Sequence, residues 1–351
     1  MSRKMVFVLR GTPGLGRVVA AVELARALEE SFRVECFFVT YANGRLYLET
    51  LNTQCVVQID RQDVMSLGIQ PVSVSAERIL EFVKKSHIDG VVVDGEPLMA
   101  LALKVGLPDV AVISMMNPSD YWNAHLPAST VGFFRFCYGQ ADYRIIHGLE
   151  SVTPREGNVL STSTIIRREV LALSSSGRAS VVSVVFGGGT ASATSAFYES
   201  CRLFFKVVLD AARQETSLLF RVFLSAAEFP CQDGDIPTNV VIVKDIAAAR
   251  DVYDCEIVVA RAGRNTISEI LFLKKKAVLF SVMGEHRTAE QQRNASLAQE
   301  WGRHSVRMLT SYDSTLLCAE IKTLQRTGTP DYEFSPGNTE ALRFIAEKMR
   351  L

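Results

Sequence analysis

Residues 260–269 read ARAGRNTISE and carry the clearest chemical signal in the chain. They follow the apolar run at residues 257–259, and Gly263 stands where this strand must turn into a helix. A strand, a glycine turn and a helix N-terminus in that order direct backbone N–H groups and the positive end of the helix dipole toward an anion. The pattern predicts a phosphate site that includes Gly263, Asn265 and Thr266.

A second polar segment, QQRNA at residues 291–295, follows the apolar run at residues 277–282. As strands of one parallel sheet, the two runs would place Glu269 and Gln291 at the same edge, where ligands of open parallel sheets bind. A carboxylate accepts two O–H bonds and an amide both donates and accepts, so the pair suits a phosphorylated sugar. One alternative stays open: Thr266 and Glu269 also have the spacing of a capping box, in which the carboxylate bonds its own helix backbone.

A third feature, the run GGGT, directly follows the apolar residues 181–186. Glycines let the backbone approach a pyrophosphate closely and expose successive N–H groups, to which a threonine adds a hydroxyl donor. The alternative is a flexible turn without a ligand. The predicted phosphate-binding residues here are Gly187, Gly188, Gly189 and Thr190.

Residues 255–302 as a whole resemble the nucleotide-sugar signature of GT-B glycosyltransferases of family 28, which includes the lipid-linked N-acetylglucosaminyltransferase of peptidoglycan synthesis. In that family an S/R-x-G-x-x-T-x-x-E segment precedes a Q-x-x-N-A segment, and residues 261–269 and 291–295 match them in order. The resemblance implies that Glu269 binds the two ribose hydroxyls of a nucleotide-sugar donor and that Gln291 binds the transferred sugar.

The same resemblance extends to further donor contacts. It implies that residues 187–190 touch the donor diphosphate and that Ile246 lies against the uracil, although a core residue at a strand end is the alternative for Ile246. The remaining donor-binding residues taken from the signature are Arg261 and Asn294.

The first glycine-rich loop, GTPGLGR at residues 11–17, lacks the Lys-Ser/Thr ending of a nucleoside-triphosphatase loop and the G-x-G-x-x-G spacing, so it indicates neither ATP nor NAD. With Gly14 and Gly16 it resembles the family 28 loop beside the acceptor. Many relatives carry a histidine there, whereas this chain has Leu15 and Arg17. Arginine stays protonated and is no ordinary general base. Arg17 could instead stabilise the negative charge that develops on a diphosphate leaving group.

Two carboxylates, Asp94 and Glu96, follow the apolar residues 91–93. At a strand end they could orient or deprotonate an acceptor hydroxyl, or they could cap and begin the next helix beside Pro97. This D-x-E-P segment resembles a less characterised, partly archaeal branch of GT-B proteins. His125, in a polar and aromatic loop, is a substitute candidate for the base, with a surface residue as its alternative.

Apolar runs alternate with helix-like segments along the chain, which predicts an α/β protein with parallel sheets. We expect the GT-B arrangement of two Rossmann-like domains that face a cleft. The predicted divisions are an acceptor domain at residues 1–163, a linker at 164–178, a donor domain at 179–335, and a helix at 336–351 that packs back on the first domain. Residues 56–59 are among the predicted strands, and residues 171–177 are expected to be an exposed connection.

The composition limits the class of protein. The chain has 351 residues, 48% hydrophobic and 22% charged, with Lys plus Arg equal to Asp plus Glu at 38 each, so no net field attracts nucleic acid. The basic runs at residues 167–168 and 274–276 are expected on the solvated surface. Seven scattered cysteines predict no metal site, and no apolar run is long enough to span a membrane, so we expect a cytoplasmic protein.

These patterns together predict a metal-independent glycosyltransferase whose donor is a UDP-linked sugar such as N-acetylglucosamine, with no separate cofactor. Inversion at the anomeric carbon follows from the resemblance alone. The acceptor is unidentified, and a lipid-linked acceptor would add contact with a membrane surface. The alternatives are a nucleotide-sugar hydrolase or epimerase on the same fold and a non-catalytic nucleotide-sugar-binding protein.

Overall fold

A computed structural model describes residues 2–11, 14–59, 69–122, 127–152, 157–187, 195–224, 236–243, 249–282 and 288–351. Five predicted site residues lie outside these ranges: Gly188, Gly189, Thr190, Ile246 and His125. None of the helices in the described ranges is long and apolar enough to cross a membrane. The chain divides into two compact units, one formed by residues 1–165 and 336–351 and the other by residues 166–335.

The first unit contains a parallel sheet with the strand order β2-β1-β3-β4-β5-β6. Its strands are β1 (Lys4–Leu9), β2 (Glu35–Val39), β3 (Gly90–Asp94), β4 (Ala111–Met116), β5 (Tyr143–His147) and β6 (Val159–Thr162). The helices are α1 (Gly16–Phe32), α2 (Ala42–Thr50), α3 (Ile69–Lys85), α4 (Pro97–Gly106), α5 (Pro118–Trp122) and α6 (Ala128–Gly139).

The sheet of the first unit is buried on both faces, as its continuous apolar runs require. Along β1, Met5, Phe7 and Leu9 enter the core under α1, while Val6 and Val8 enter the core under α3 and α4. This alternation follows from the two-residue period of a strand. Because helices cover both faces, the sheet of the first unit can present residues to a ligand only where its strands end.

The second unit contains another parallel sheet with the order β9-β8-β7-β10-β11-β12. Its strands are β7 (Val181–Val185), β8 (Leu219–Phe223), β9 (Val240–Val243), β10 (Ile257–Arg261), β11 (Lys276–Phe280) and β12 (Val306–Met308). The helices are α7 (Arg168–Leu171), α8 (Ser195–Gln214), α9 (Ala249–Tyr253), α10 (Arg264–Phe272), α11 (Thr288–Gly302) and α12 (Ser314–Arg326), with a 3₁₀ turn at Arg303–Ser305.

The last helix, α13 (Asn338–Met349), belongs to the first unit and packs against α1. The Gly337 N–H donates to the carbonyl of Thr164 at 3.1 Å, and the Thr162 hydroxyl donates to Glu340. The two points at which the chain leaves and re-enters the first unit are therefore hydrogen-bonded neighbours.

Two details of the predicted elements are wrong. Residues 56–59 form no strand, and only Cys55 makes an isolated parallel bridge with Phe38. Conversely, Val159–Thr162 forms the edge strand β6 and pairs in parallel with β5, in a segment without a predicted element. Both differences lie at the edges of the sheet: β6 is not predicted because it carries little apolar signal, whereas residues 56–59 carry that signal without forming a strand.

The second basic run is not the solvated surface that its composition predicts. Lys275 is only 2% exposed, and its ammonium donates to three carbonyls, of Ser175, Ser176 and Cys255, each at 2.9 Å. Lys276 is also buried and pairs with Glu256 at 2.6 Å. These lysines hold other segments of the second unit in place, which a local charge pattern does not reveal.

Each sheet has one point at which the strand order reverses. In the first unit β1 lies between β2 and β3. In the second unit β7 and β10 are adjacent, although α8, β8, β9 and α9 lie between them along the chain. Loops that follow such strands diverge and open a crevice at the carboxyl edge, where ligands of doubly wound sheets bind. Gly187 and Gly263 follow β7 and β10, so both predicted phosphate turns flank the reversal in the second unit.

Candidate functional site

The turn after β10 has the local structure that its sequence predicts. Gly263 is the N-cap of α10, with φ −80° and ψ 136°, and as a glycine it has no side chain with which to cap the helix. The first intrahelical bond runs from the Ile267 N–H to the Gly263 carbonyl at 3.0 Å. The N–H groups at the start of a helix point out of its N-terminus, and in α10 the first turn includes Asn265 and Thr266.

The capping-box alternative for Glu269 is wrong. Because α10 begins at Arg264, Thr266 lies inside the helix and Glu269 lies in its second turn, too far along to return to the N-cap. The Glu269 carboxylate instead accepts two hydrogen bonds from Arg167, at 2.8 and 2.7 Å, and one from the Tyr253 hydroxyl at 2.5 Å. Its side chain is 5% exposed.

The turn after β7 lies directly beside the end of β10. Gly187 has φ +84°, in the region that favours glycine, and a Cβ there would stand 2.6 Å from a terminal nitrogen of Arg261. Arg261 is the last residue of β10, so its guanidinium lies over the backbone of the neighbouring turn. The two turns and one fixed cation therefore come together at the carboxyl edge of the second sheet.

Helix α11 brings the second predicted polar segment to the same sheet edge. The Gln291 side-chain oxygen accepts the Val282 N–H at 2.9 Å, just after β11, and the residue is buried. This bond leaves the Gln291 amide nitrogen as a donor. The Asn294 amide donates to the Ala262 carbonyl at 3.4 Å and links α11 to the turn at Gly263.

In the first unit, Arg17 lies between two carboxylates at the carboxyl edge of the sheet. It donates from one terminal nitrogen to Asp94 and from the other to Asp120 at 2.7 Å. Burial opposes the charge of Arg17, but Asp120 and Asp94 outweigh it and raise the pKa of Arg17 well above its ordinary value. Burial likewise favours neutral Asp120, yet Arg17 lowers the pKa of Asp120. Asp94 is fully buried, and His147 Nε2 lies 3.9 Å from it.

Helix α1, which carries Arg17, begins at Gly16 and has no capping side chain. A Cβ at Gly14 would meet nothing within 4 Å, so the loop before the helix borders open space. Gly95, with φ +82°, packs against the Arg17 side chain, and a Cβ there would stand 2.6 Å from the Arg17 Cδ. These glycines shape the space around Arg17.

Glu96 has different surroundings from those of Asp94. It is the N-cap of α4, directly before Pro97, so it does stand at the start of that helix, although its side chain makes no capping bond. Asp94 is not the N-cap residue, so the capping interpretation fails for Asp94. The Glu96 carboxylate accepts the Tyr41 hydroxyl at 2.5 Å and lies 3.5 Å from Arg10 Nε. Burial and the Glu96 charge raise the pKa of Tyr41 far above its ordinary value, so Tyr41 donates. The Glu96 side chain is 27% exposed.

Several residues in these clusters were not predicted as site residues. They are Arg10, Tyr41, Asp120, Arg167 and Tyr253. Arg167 belongs to the basic pair that is expected on the solvated surface, and Asp120 precedes His125 in the same polar and aromatic segment. Arg10, Tyr41 and Tyr253 lie in other elements than their partners, and no local spacing links them.

Three solved structures with sequence identity of 13% to this chain place the geometry in context. The chain matches MurG of Acinetobacter baumannii with a TM-score of 0.60, over 98% of this chain and 99% of MurG. It matches a Polygonum tinctorium UDP-glucosyltransferase capable of glucosylating indoxyl, in complex with 3,4-dichloroaniline, with a TM-score of 0.65 over 100% of this chain and 99% of that enzyme. It matches the Neisseria meningitidis UDP-GlcNAc 2-epimerase with a TM-score of 0.64, over 99% of this chain and 99% of the epimerase.

No protein-family model and no curated protein sequence matches the chain. The likeness therefore rests on the course of the backbone, which covers both sheets and nearly the whole length of each compared structure. Two six-stranded parallel sheets surrounded by helices, in the arrangement shared with MurG, confirm the predicted α/β architecture. The protein has the GT-B fold of the glycosyltransferases and resembles MurG in structure.

Proposed function

We propose that the chain is a glycosyltransferase that moves a sugar from a UDP-linked donor to a hydroxyl group of an acceptor bound by the first unit. The observation that carries the proposal is the second sheet's strand reversal. There the turns at Gly187 and Gly263 lie side by side, with Arg261 over one of them and Glu269 in the helix that the other begins. The arrangement supplies backbone amides, a cation and a carboxylate to a single ligand.

Each of these groups suits one part of a nucleotide sugar. The first-turn amides of α10 and the Arg261 guanidinium neutralise the diphosphate, and they do so more strongly as negative charge develops on the leaving group. Glu269 is the hydrogen-bond acceptor for the ribose. The amide nitrogen of Gln291, whose oxygen is held by Val282, donates to a hydroxyl of the transferred sugar.

On the acceptor side, the geometry favours Glu96 over Asp94. Asp94 is fully buried and bound to Arg17, whereas Glu96 is accessible at the end of β3. A base must reach the hydroxyl that it deprotonates, so accessibility decides between them. Asp94 then holds Arg17 in place, and Glu96 orients or deprotonates the acceptor.

The proposal is tested by titrating the protein with UDP, GDP, dTDP and their sugars, using thermal shift and calorimetry, since a ligand that binds only the native state raises its stability. We expect UDP and UDP-sugars to give the largest shifts. Glu269→Gln should abolish or strongly reduce this response. Glu256→Gln, which alters another glutamate of the same unit paired with Lys276, is the matched control and should bind as wild type. Absence of any nucleoside-diphosphate binding would refute the proposal.

An epimerase is the second candidate, because UDP-GlcNAc 2-epimerases of Neisseria meningitidis and Listeria monocytogenes match the fold with TM-scores of 0.64 and 0.65, like the transferases. Epimerisation needs no acceptor. Incubation with a UDP-sugar alone separates the activities: an isomeric UDP-sugar indicates an epimerase and free sugar a hydrolase. Turnover that depends on an added acceptor, and that falls in Glu96→Gln, supports the transferase.

A further inference from the structure

The Glu269 carboxylate, which the proposed function assigns to the donor ribose, already accepts three hydrogen bonds. Arg167 donates from Nε to Oε1 at 2.8 Å and from a terminal nitrogen to Oε2 at 2.7 Å. The Tyr253 hydroxyl donates to Oε2 at 2.5 Å. Both donors belong to the second unit, and neither has a role in the proposed function so far.

The number of acceptor positions on a carboxylate sets a limit on further contacts. An ionised carboxylate offers about four lone-pair positions, two on each oxygen. Oε2 of Glu269 accepts from both Arg167 and Tyr253, whereas Oε1 accepts only from Arg167. Among the residues that the structure describes, these two side chains are the donors to Glu269, so one position is left, and it lies on Oε1.

Both donors are held firmly. Tyr253 is buried at the end of α9, and its burial together with the Glu269 charge raises its pKa well above the ordinary value, so the phenol stays protonated and donates. Arg167 immediately precedes α7, which packs against α9. Its two parallel hydrogen bonds to the Glu269 carboxylate fix the guanidinium plane and the carboxylate plane relative to each other. The guanidinium also compensates the charge of a carboxylate that is almost entirely buried.

We propose that Arg167 and Tyr253 are positioning residues of the ribose subsite, which hold Glu269 in one orientation and leave it one open acceptor position, so that this carboxylate selects a single ribose hydroxyl. The inference rests on the proposed function and makes it more specific. It departs from the two-hydroxyl contact that resemblance to family 28 implies for Glu269.

The first test compares three probes, UDP, 2′-deoxy-UDP and 3′-deoxy-UDP, by calorimetry with the full chain. Loss of the hydroxyl that Glu269 binds leaves a buried acceptor without its partner, so we expect one deoxy analogue to bind about 10-fold more weakly than UDP. The other should bind within about 2-fold of UDP. Equal weakening of both analogues, or of neither, overturns the inference.

The second test removes each donor conservatively. Tyr253→Phe keeps the ring but loses the hydroxyl, and Arg167→Lys keeps the charge but loses the planar fork. Each should weaken UDP binding about 5-fold and reduce the affinity ratio between the two deoxy analogues, because Glu269 is no longer held. A residue that only stabilises the fold would lower the melting temperature and leave that ratio unchanged, which would contradict the positioning role.

Matched controls are available in the same unit. Tyr332→Phe removes the hydroxyl of another tyrosine whose burial raises its pKa, to about 12, and Arg178→Lys alters an arginine paired with Asp254 at 2.6 Å. Both should bind all three probes as wild type does. If wild-type protein binds no nucleoside diphosphate, the proposed function and this inference both fail. If it binds UDP without preference between the analogues, only the inference fails.

Discussion

The carboxyl edges of the two sheets both contain an arginine bound to carboxylate, yet their charges and accessibility differ. In the first unit three carboxylates, Asp94, Glu96 and Asp120, surround two arginines, Arg10 and Arg17. At the second edge, Arg167 is bound to Glu269, Arg261 lies against the turn at Gly187, and Arg264 begins α10.

This difference indicates which edge suits an anion. In the first unit both terminal nitrogens of Arg17 already donate to carboxylates, and the local charge is acidic. In the second unit the N-cap of α10 is Gly263, which has no side chain to cap the helix, and Arg261 lies over the turn at Gly187. A doubly charged diphosphate is therefore expected at the second edge, and a neutral, hydroxyl-bearing acceptor at the first.

The largest effect is expected from removing the buried charge in the first unit. Asp94→Ala leaves buried Arg17 with Asp120 as its remaining carboxylate, and breaking a buried ion pair costs about 3 kcal/mol or more. Urea denaturation should show this loss in the free energy of unfolding. Glu49→Ala, which breaks the exposed pair with Arg45, should cost less than about 0.5 kcal/mol. Similar losses in both variants would contradict a buried, interdependent cluster.

A direct test of the comparison is to remove one arginine from each edge. Arg261→Ala should weaken UDP binding by about 10- to 100-fold, the usual range for a hydrogen bond to a charged group. Arg10→Ala, at the acidic first edge, should change the UDP dissociation constant by less than about 2-fold. Calorimetry measures both constants. A larger effect at Arg10 would reverse the assignment of the anion to the second unit.

The left-handed turn in the second unit provides a smaller effect. Gly187→Ala places a methyl group in a backbone conformation with φ +84° and against Arg261, so we expect a loss of about 1–2 kcal/mol in thermal unfolding, with weaker UDP binding. Gly328→Ala, where a Cβ meets nothing within 4 Å, should change stability by less than about 0.5 kcal/mol. Normal UDP binding by Gly187→Ala would argue against this turn as part of the site.

The smallest expected effect concerns acid stability of the first unit. Because Arg17 lowers the pKa of Asp120 in the folded state, ionised Asp120 stabilises the fold above its unfolded pKa, about 3.9. This contribution is lost as the pH falls through the lower folded pKa. Asp120→Asn should cost about 1 kcal/mol at neutral pH. The melting-temperature difference from wild type should shrink below about pH 4, and a difference that stays constant would contradict the ion pair.

Most of the central strands could be predicted from sequence because parallel strands buried on both faces are continuous apolar runs. Strands β10 and β11 are of this kind, with every residue of β11 buried. Edge strands lack that signal. Strand β6 has four residues, of which two are hydroxyl-bearing. The mostly apolar residues 56–59 form no strand, and their link to the sheet is the bond from the Val56 N–H to the Phe38 carbonyl at 2.9 Å.

The residues of the candidate site likewise fall into those that the sequence predicts and those that it does not. Gly263 and Glu269 belong to one continuous strand, turn and helix, so their spacing alone indicates where they lie. Arg167 meets Glu269 across 102 positions of sequence, and such a pair forms only when separate elements pack together. Local patterns also misled where charge was concerned, since Lys275 is buried among carbonyls that come from two other segments.

The return of α13 to the first unit has a consequence for biosynthesis. All residues of the second unit, 166–335, leave the ribosome before residues 336–351 supply the helix that covers α1. The amino-terminal unit is therefore the last to acquire its full core, against the usual order in which domains fold as they emerge. A stop codon introduced between residues 336 and 351 would therefore damage the unit that is translated before the second one.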